Sequence, residues 1–244
     1  MVFEMDARFT LAPPGPPGPP LGKPLVIDYA GEAVWLLPEH ALWWPAQRVL
    51  FIADLHIGKA ATYRRLGQPV PSGTTLENLR RISRLLQHYQ PAQLVFLGDF
   101  LHAAQARTAS VLRALADWRA AFAGLACVLV RGNHDDRAGD PPPGLDIEVV
   151  DEPWLIGPFA ACHHPQDHPT HAVLAGHLHP VLSLHGRGRD RLRLPCFCFE
   201  TRRAILPAFG EFTGGWMVVP QPGLRLYPAG GDAVWRLPEG KPLG

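Results

Sequence analysis

Hydrophobic and polar positions along the first half of the chain alternate in blocks that predict strands and helices in turn. The continuous apolar run at 48–53 is typical of a short strand buried on both faces. The spacing that follows Pro71 predicts a helix that has one apolar face, formed by Leu76, Leu79, Ile82 and Leu86. Further helices are predicted at about 59–66 and 108–122, and further strands at 93–97 and 127–130.

The second half of the chain is rich in short apolar runs without helical periodicity. Strands are predicted at 159–162, 172–175, 181–184, 191–199 and 203–206, with edge strands at 214–219 and 233–237. Strand–helix–strand units that are followed by consecutive strands are typical of layered mixed folds. The predicted class is therefore α/β, a two-sheet β-sandwich flanked by helices in α-β-β-α layers.

Proline and glycine divide the chain into a lead-in and a domain. Residues 13–20 are built only from proline and glycine, and this pattern predicts a flexible or extended segment. Residues 1–24 are accordingly predicted to be a Pro/Gly-rich lead-in. Residues 25–244 are predicted to form a single domain, because the chain is 47% hydrophobic and long enough for one well-buried core.

The composition of the chain indicates the expected cellular location of the protein and the expected state of its cysteines. No apolar run approaches the roughly 20 residues that cross a bilayer, and the first residues lack the apolar core of a secretion signal. A cytoplasmic protein without a membrane partner is therefore expected. The four cysteines fit reduced, buried thiols better than disulfides, although Cys196 and Cys198 are spaced so that they could bind a metal.

A net charge of +1 excludes a globally cationic protein, so any nucleic-acid surface has to be local. Arginines concentrate in two places, which are Arg64, Arg65, Arg80, Arg81 and Arg84 in the first and Arg187, Arg189, Arg191 and Arg193 in the second. Each cluster is typical of one exposed face of a helix or strand. Either becomes significant only beside a phosphate-binding site.

Polar residues stand where the apolar runs end. Five runs stop at Asp, Asn or His, and the residues concerned are Asp54 and His56, Asp99, Asn133, His134 and Asp135, His163 and His164, and His177 and His179. Because ligands bind outside the carboxyl ends of strands in open α/β sheets, these groups are expected to converge. Glycines directly precede three of the sets, where the backbone has to turn sharply.

Such a cluster would be unfavourable without cations, because its carboxylates and imidazoles would face one another unneutralised. The mixed nitrogen and oxygen ligands suit Mn²⁺, Fe or Zn²⁺ better than Ca²⁺. There are more ligands than one tetrahedral site takes. Two divalent metal ions about 3.5–4 Å apart, sharing one carboxylate, would use them all.

Taken together and in this order, the five motifs resemble the signature of the calcineurin-like metallophosphoesterase superfamily. The resemblance runs from Val49 to Pro180 and includes Gly98-Asp99 and Gly176-His177-x-His179. The sequences 53–59, 98–102, 206–210 and 212–215 most resemble the bacterial PdeM-type family, a ligase-associated metallophosphoesterase of the DNA damage response. The resemblance implies a metallophosphoesterase-like fold, which is the two-sheet sandwich that the hydrophobic pattern predicts.

The resemblance implies a role for each polar residue. The implied metal ligands are Asp54, His56 and His179 for the first ion, Asn133, His163 and His177 for the second, and Asp99 bridging both. The implied catalytic residues are His134, which approaches the scissile phosphate, and Asp135, which orients or tunes His134. A water activated by two metal ions, with Mn²⁺ expected first, then attacks phosphorus in line.

Several assignments stay open at the level of sequence. His164 competes with His163 as a ligand, since adjacent side chains point in different directions. His102 is expected either to contact the substrate or ligands, or to pack beside the site. Lys59 is expected on a solvated helix face, and steering of a phosphate backbone is the alternative. Trp43 and Trp44 are expected in apolar packing, with base stacking as the alternative.

The resulting functional hypothesis is a metal-dependent phosphodiesterase or nuclease that acts on DNA in repair. The resemblance implies association with a DNA ligase, a helicase and an exonuclease. Accessible ends, flaps or single strands are the expected substrates, because no dedicated duplex-binding domain is visible. The alternatives are a small-molecule phosphodiesterase or phosphatase with the same metal core, and a non-catalytic protein-assembly scaffold of the same fold. Intact His134 and Asp99 argue against the scaffold.

Overall fold

The computed structural model of the protein describes residues 21–65, 67, 73–185, 191–211 and 213–238. Most of the predicted lead-in, residues 1–20, therefore lies outside the described residues. The end of that segment contacts the domain. The backbone N–H of Gly22 donates to Glu39 at 3.0 Å, and Lys23 forms a β-bridge with Ala233.

The first sheet has seven strands, in the order β1-β2-β3-β4-β5-β6-β7. These are β1 (Leu25–Tyr29), β2 (Glu32–Leu37), β3 (Ala41–Trp44), β4 (Val49–Ala53), β5 (Gln93–Leu97), β6 (Ala126–Val130) and β7 (Glu148–Val150). β1 to β4 form an antiparallel meander, whereas β4 to β7 are parallel. The parallel half brings the carboxyl ends of β4, β5 and β6 to one edge of the sheet.

The second sheet has nine strands, with β14-β11-β12-β13-β10-β9-β8 in a row and β15 and β16 joined through β12. These are β8 (Trp154–Ile156), β9 (Phe159–Ala161), β10 (Ala172–Ala175), β11 (Pro180–His185), β12 (Arg191–Phe199), β13 (Arg203–Ile205), β14 (Trp216–Met217), β15 (Arg225–Gly230) and β16 (Ala233–Val234). β9 and β10 are parallel, so the loops that follow both strands leave the sheet at the same edge.

The described helices are α1 (Lys59–Arg65), α2 (Thr74–Tyr89), α3 (Ala109–Ala121) and α4 (Asn133–Ala138), with 3₁₀ turns at Ala104–Ala106 and Pro143–Leu145. Thr108 caps α3, because its hydroxyl oxygen accepts the N–H of Val111 at 3.3 Å. Among the described residues, no helix is long and apolar enough to span a membrane.

Two apolar layers hold the sheets and helices together. Phe51 and Val95 of the first sheet pack with Phe159 and Phe197 of the second in one buried cluster between the sheets. On the other face of the first sheet, residues of α2 and α3, including Ile82, form a second cluster. The two-sheet sandwich with flanking helices is confirmed.

One detail of the predicted helix face is wrong. Leu76 is 48% exposed, whereas Leu79 and Ile82 are buried. At 3.6 residues per turn, the six residues from Leu76 to Ile82 turn the helix by about 600°, which is about 120° short of two full turns, so Leu76 lies at the margin of the face. The packing role falls instead to Leu85, which is fully buried against the sheet.

Trp43, Trp44 and the four cysteines are buried, as expected. Trp43 and Trp44 of β3 are both buried, which leaves neither ring free to stack on a base. Cys196 and Cys198 are free and buried in an apolar cluster with Leu182 and Leu226. The packing interpretation of these residues therefore fits the structure, and the cluster gives the thiols no described metal-ligand partner.

Two buried tyrosines of the inter-sheet core provide a matched stability test. The hydroxyl of Tyr29 donates to the carbonyl of Val173 at 2.9 Å, whereas the hydroxyl of Tyr227 is buried without a partner among the described residues. Both rings pack against Phe199. Tyr29→Phe should lower the free energy of unfolding by about 1 kcal/mol, because it removes a buried hydrogen bond.

Tyr227→Phe is the control, and it should leave stability unchanged or raise it slightly, because no hydrogen bond is lost. Urea unfolding followed by tryptophan fluorescence measures both variants. Equal losses in the two variants would contradict the assigned role of the Tyr29 hydroxyl.

Candidate metal centre

The polar strand ends of the sequence meet at one edge of the sandwich. Asp54 follows β4, Asp99 follows β5, and Asn133 and His134 begin α4 after β6. His163 follows β9 of the second sheet, and His177 and His179 lie between β10 and β11. The structure therefore brings together all the residues that the sequence indicated, from both sheets.

The backbone at this edge is unusual. Five of the predicted ligands have positive φ angles, which are Asp54 (52°), His56 (47°), Asp99 (50°), His177 (70°) and His179 (50°). Residues other than glycine rarely adopt this left-handed region, at a cost of about 1–3 kcal/mol each. Such strain persists where surrounding structure enforces it, and it concentrates at functional sites.

One group of side chains surrounds Asp54. Its Oδ1 lies 3.5 Å from Nε2 of His179 and has no hydrogen-bond partner among the described residues. Nε2 of His179 is in turn 3.2 Å from Nε2 of His56, and Oδ2 of Asp99 lies 3.7 Å from that same His56 nitrogen. Asp54 and His56 are buried and His179 is only partly exposed.

A second group surrounds His163, which is fully buried. Its Nδ1 lies 3.2 Å from the carbonyl oxygen of Leu97. Because a carbonyl only accepts, Nδ1 carries the proton and Nε2 presents a lone pair. That Nε2 lies 2.9 Å from Oδ1 of Asn133, 3.0 Å from Nδ1 of His177 and 3.5 Å from Oδ1 of Asp99.

The donor set in both groups fits divalent cations. In the second group an amide oxygen, a carboxylate oxygen and an imidazole lone pair, all acceptors, face one another at these short distances. In the first group, the buried Oδ1 of Asp54 faces ring nitrogens without a hydrogen bond. A cation within each group would turn these repulsive contacts into ligand bonds. Asp99 contacts both groups, which suits a bridging carboxylate.

Burial favours the neutral form of His56, His177 and His102, and an imidazole has to be neutral to bind a metal. Burial lowers the pKa of His56, and the neighbouring charge of Lys59 acts in the same direction. Burial also lowers the pKa of His177 and brings that of His102 to about 4. At neutral pH these rings therefore keep a lone pair available for a metal.

His134 points its free nitrogen toward the cluster. Its Nδ1 lies 2.7 Å from the carbonyl oxygen of His102, so Nδ1 donates and Nε2 is left facing Oδ2 of Asp99 at 4.0 Å. The ring of His102 stacks on the ring of His134, with centroids 5.0 Å apart. Of the two expected roles for His102, the structure places it in support of His134 and close to His56.

The carboxylate of Asp135 accepts hydrogen bonds from the backbone of the two loops that follow β5 and β6. Its carboxylate accepts the N–H of Gly132 at 3.0 Å and, with the other oxygen, the N–H groups of Phe100 at 3.0 Å and Leu101 at 3.3 Å. Burial raises the pKa of Asp135 to about 7, although these hydrogen bonds act to lower it. In this geometry Asp135 influences His134 through the backbone, and the ring itself is oriented by His102.

Sequence analysis missed Glu152. Its Oε2 accepts the N–H groups of His163 at 2.6 Å and His164 at 2.9 Å, and its Oε1 lies 2.6 Å from Nδ1 of His164. Burial opposes ionisation of Glu152, but these hydrogen bonds lower its pKa. No spacing signal could have revealed it, because the carboxylate comes from the separate loop between β7 and β8. It fixes the His163–His164 turn and engages Nδ1 of His164, whose partly exposed ring still lies beside His177, with ring centroids 4.5 Å apart.

Lys59 corrects another expectation. The side chain is only 8% exposed and does not lie on a solvated helix face. Burial lowers the pKa of Lys59, and the carboxylates of Asp54 and Asp99 oppose that effect. The side chain therefore adds positive charge close to the site. Of the two arginine clusters, the side chains of Arg64, Arg65, Arg187 and Arg189 lie outside the described residues.

Comparisons with known proteins agree with this geometry. The family model for calcineurin-like phosphoesterase matches residues 47–193. The crystal structure of Pseudomonas putida nuclease MPE is similar, with 51% sequence identity, 88% of this chain and 100% of that chain covered, and a TM-score of 0.78. A phosphoesterase from E. coli, Yfce, has 17% identity over 76% of this chain and 90% of its own, with a TM-score of 0.36. Comparison with curated proteins gives no significant match.

Proposed function

Because the chain belongs to the calcineurin-like phosphoesterase family, we propose that it is a metal-dependent phosphodiesterase that cleaves nucleic acid, with DNA as its substrate. The observation that carries the substrate assignment is the 51% identity to the Pseudomonas putida nuclease over 88% of the chain. Metal dependence rests on the acceptor groups that face one another around Asp99. Accessible ends or single strands remain the proposed form of the DNA.

The proposed ligands are those that the resemblance implied, namely Asp54, His56 and His179 for one ion, Asn133, His163 and His177 for the other, and Asp99 for both. His163 is preferred over His164, because its ring is fully buried with Nε2 directed at Asn133. When bound, two divalent cations, with Mn²⁺ proposed first, lower the pKa of the attacking water and stabilise the charge on the phosphoryl oxygens.

The remaining groups position and protonate the substrate. His134 presents Nε2 beside Asp99, where the ring, when it carries a proton on both nitrogens, can donate to a phosphoryl oxygen or to the leaving oxygen. The carbonyl of His102 fixes the ring, so that little reorganisation is needed during the reaction. Lys59 adds a fixed positive charge close to Asp54 and Asp99, which favours an anionic substrate.

Other parts of the proposal concern the domain organisation, the location and the partners of the protein. Residues 25–244 are proposed as a single domain, which the core shared between both sheets supports. A cytoplasmic location accords with a DNA substrate. Association with a DNA ligase, a helicase and an exonuclease is proposed on the family resemblance alone.

The function can be tested with two chromogenic esters of the same leaving group, a phosphodiester and a phosphomonoester, together with a labelled single-stranded oligonucleotide. We expect the protein to hydrolyse the diester in preference to the monoester, and to cut the oligonucleotide. Removal of metal by a chelator should abolish both activities, and titration with Mn²⁺, Zn²⁺ or Mg²⁺ should restore them in an order that identifies the metal.

Cleavage of the labelled oligonucleotide distinguishes the proposed nuclease from a small-molecule phosphodiesterase or phosphatase. Diester cleavage without cleavage of any oligonucleotide would indicate a small-molecule phosphodiesterase, and monoester preference would indicate a phosphatase. Absence of metal-dependent turnover of every substrate would refute the catalytic assignment and favour a scaffold.

A further inference from the structure

A groove of about 370 Å³ opens directly beside the candidate metal centre. His179, one of the proposed ligands, forms part of its wall, so the groove and the centre are continuous. The opposite wall comes from residues 208–211 and 213–214, which follow β13 and match the narrower resemblance noted in the sequence. Neither the proposed ligands nor His134 requires this space.

One side of the groove is formed by Arg81, which extends from α2. Its guanidinium lies 4.0 Å from the ring centroid of Phe209 and donates to the carbonyl oxygen of that residue. The Nε of Arg81 is buried and has no hydrogen-bond partner among the described residues. The guanidinium is thus fixed in place, with hydrogen-bonding capacity still unused.

The other side of the groove carries Arg193 of β12, whose Nη2 donates to the carbonyl of Gly215 at 3.2 Å. Gly215 makes room for this contact, since a Cβ at that position would lie 2.5 Å from Nη2 of Arg193. The second guanidinium is therefore also held by backbone. Each of the two arginine clusters of the sequence supplies one side chain to the same groove.

Charge in the groove favours an anion. Among the described residues of its wall, Glu211 is the only acidic one, against two guanidinium groups. In the described part of the chain, neither Arg81 nor Arg193 has a carboxylate oxygen within the 4.0 Å of an ion pair. His40 adds a neutral polar ring, because burial and the charge of Arg81 lower its pKa to about 3. The carboxylates of Glu211, Glu39 and Glu77 act on the charge of Arg81, but none of them forms an ion pair with it among the described residues. Fixed guanidinium groups that are not engaged in an ion pair are typical of phosphate recognition.

We propose that the groove between Arg81 and Arg193 binds a second phosphate of a polynucleotide strand whose scissile phosphate lies at the metal centre. The proposal rests on the proposed function and adds the path of the strand, which leaves the centre past His179. It separates polynucleotides from small diesters, because a substrate with a single phosphate has no group that reaches the groove. The recognition is of backbone charge and therefore independent of base sequence.

Arg193→Ala tests the proposal, because Arg193 is exposed and its loss leaves the core intact. We expect kcat/KM for a single-stranded oligonucleotide to fall about tenfold, since one charge-assisted contact is lost. Turnover of the small chromogenic diester should stay within about twofold of the parent protein. The slope of log KM against log salt for the oligonucleotide should also decrease by about 0.7 for the lost phosphate contact.

Two further variants serve as controls for Arg193→Ala, one for position and one for charge. Arg113→Ala removes an exposed arginine of α3 outside the groove and should change neither substrate. Arg193→Lys keeps the charge, so the salt slope should return toward that of the parent protein.

Equal losses on both substrates, or an unchanged oligonucleotide reaction, would overturn the groove assignment and leave the nuclease activity standing. Absence of oligonucleotide cleavage by the parent protein, with diester cleavage intact, would overturn the nuclease function and the groove with it.

Discussion

Replacement of Asp99 by asparagine should lower kcat/KM for a phosphodiester by at least about 10³-fold, the largest loss expected from one polar substitution in this chain. The carboxylate lies between the two halves of the centre, with one oxygen toward each. Oδ2 lies 3.7 Å from Nε2 of His56, and Oδ1 lies 3.5 Å from Nε2 of His163. Asparagine keeps the shape but removes the negative charge and one acceptor oxygen, so that bridging of two cations is lost.

The measurement has to separate lost metal from lost fold. Metal content after dialysis should fall below two ions per chain in Asp99→Asn, while circular dichroism stays that of the parent protein. Asp136→Asn is the matched control, because Asp136 lies in α4 with its side chain 66% exposed, and its one ion pair among the described residues is with Arg131 at 3.9 Å. Two bound ions and undiminished turnover in Asp99→Asn would refute the bridging role.

The sequence was sufficient to locate this centre because its ligands follow buried strands. A run such as Val49–Ala53 has to end where the chain reaches solvent, and the polar residue after it then lies at the sheet edge. Parallel pairing of β4, β5 and β6 puts three such ends side by side. The same reasoning predicted the two-sheet sandwich, because strand and helix periodicities are local properties of the chain.

The residues that support the proposed ligands could not be predicted from the sequence, because their positions depend on tertiary contacts. Glu152 reaches the His163–His164 turn from a loop between short strands that the pattern did not show. Lys59 begins a helix whose charged positions suggested a solvated face, yet the fold turns its side chain toward Asp54 and Asp99. A hydrogen bond to a carbonyl, such as the one that orients His134, leaves no trace in the identity of the accepting residue.

The glycines beside the proposed ligands could be recognised in the sequence, but the contacts that require glycine at these positions could not be predicted from it. Gly98 has a φ of +77°, and a Cβ built there would lie 2.1 Å from Nδ1 and 2.4 Å from Cγ of His163. His163 is fully buried, with its ring held between Leu97 and Asn133, so it has no space into which to retreat. Glycine at this position therefore allows both the turn after β5 and the close approach of a proposed ligand.

Gly98→Ala should reduce kcat/KM for the diester about 100-fold or more, because displacement of His163 by even an ångström disrupts the ligand geometry. It should also lower the free energy of unfolding by more than the roughly 1–2 kcal/mol that a left-handed alanine costs. Turnover with saturating Mn²⁺ and urea unfolding measure the two effects in the same preparation.

Gly31→Ala separates the backbone cost from the steric one. Gly31 has almost the same φ, +80°, but a Cβ there would meet nothing within 4 Å. Its alanine variant should lose only the left-handed penalty, about 1–2 kcal/mol, and keep full activity, because the turn between β1 and β2 contributes no residue to the centre. If Gly98→Ala and Gly31→Ala lost the same stability and both remained active, His163 would be free to move, and contact with Gly98 would not fix its position.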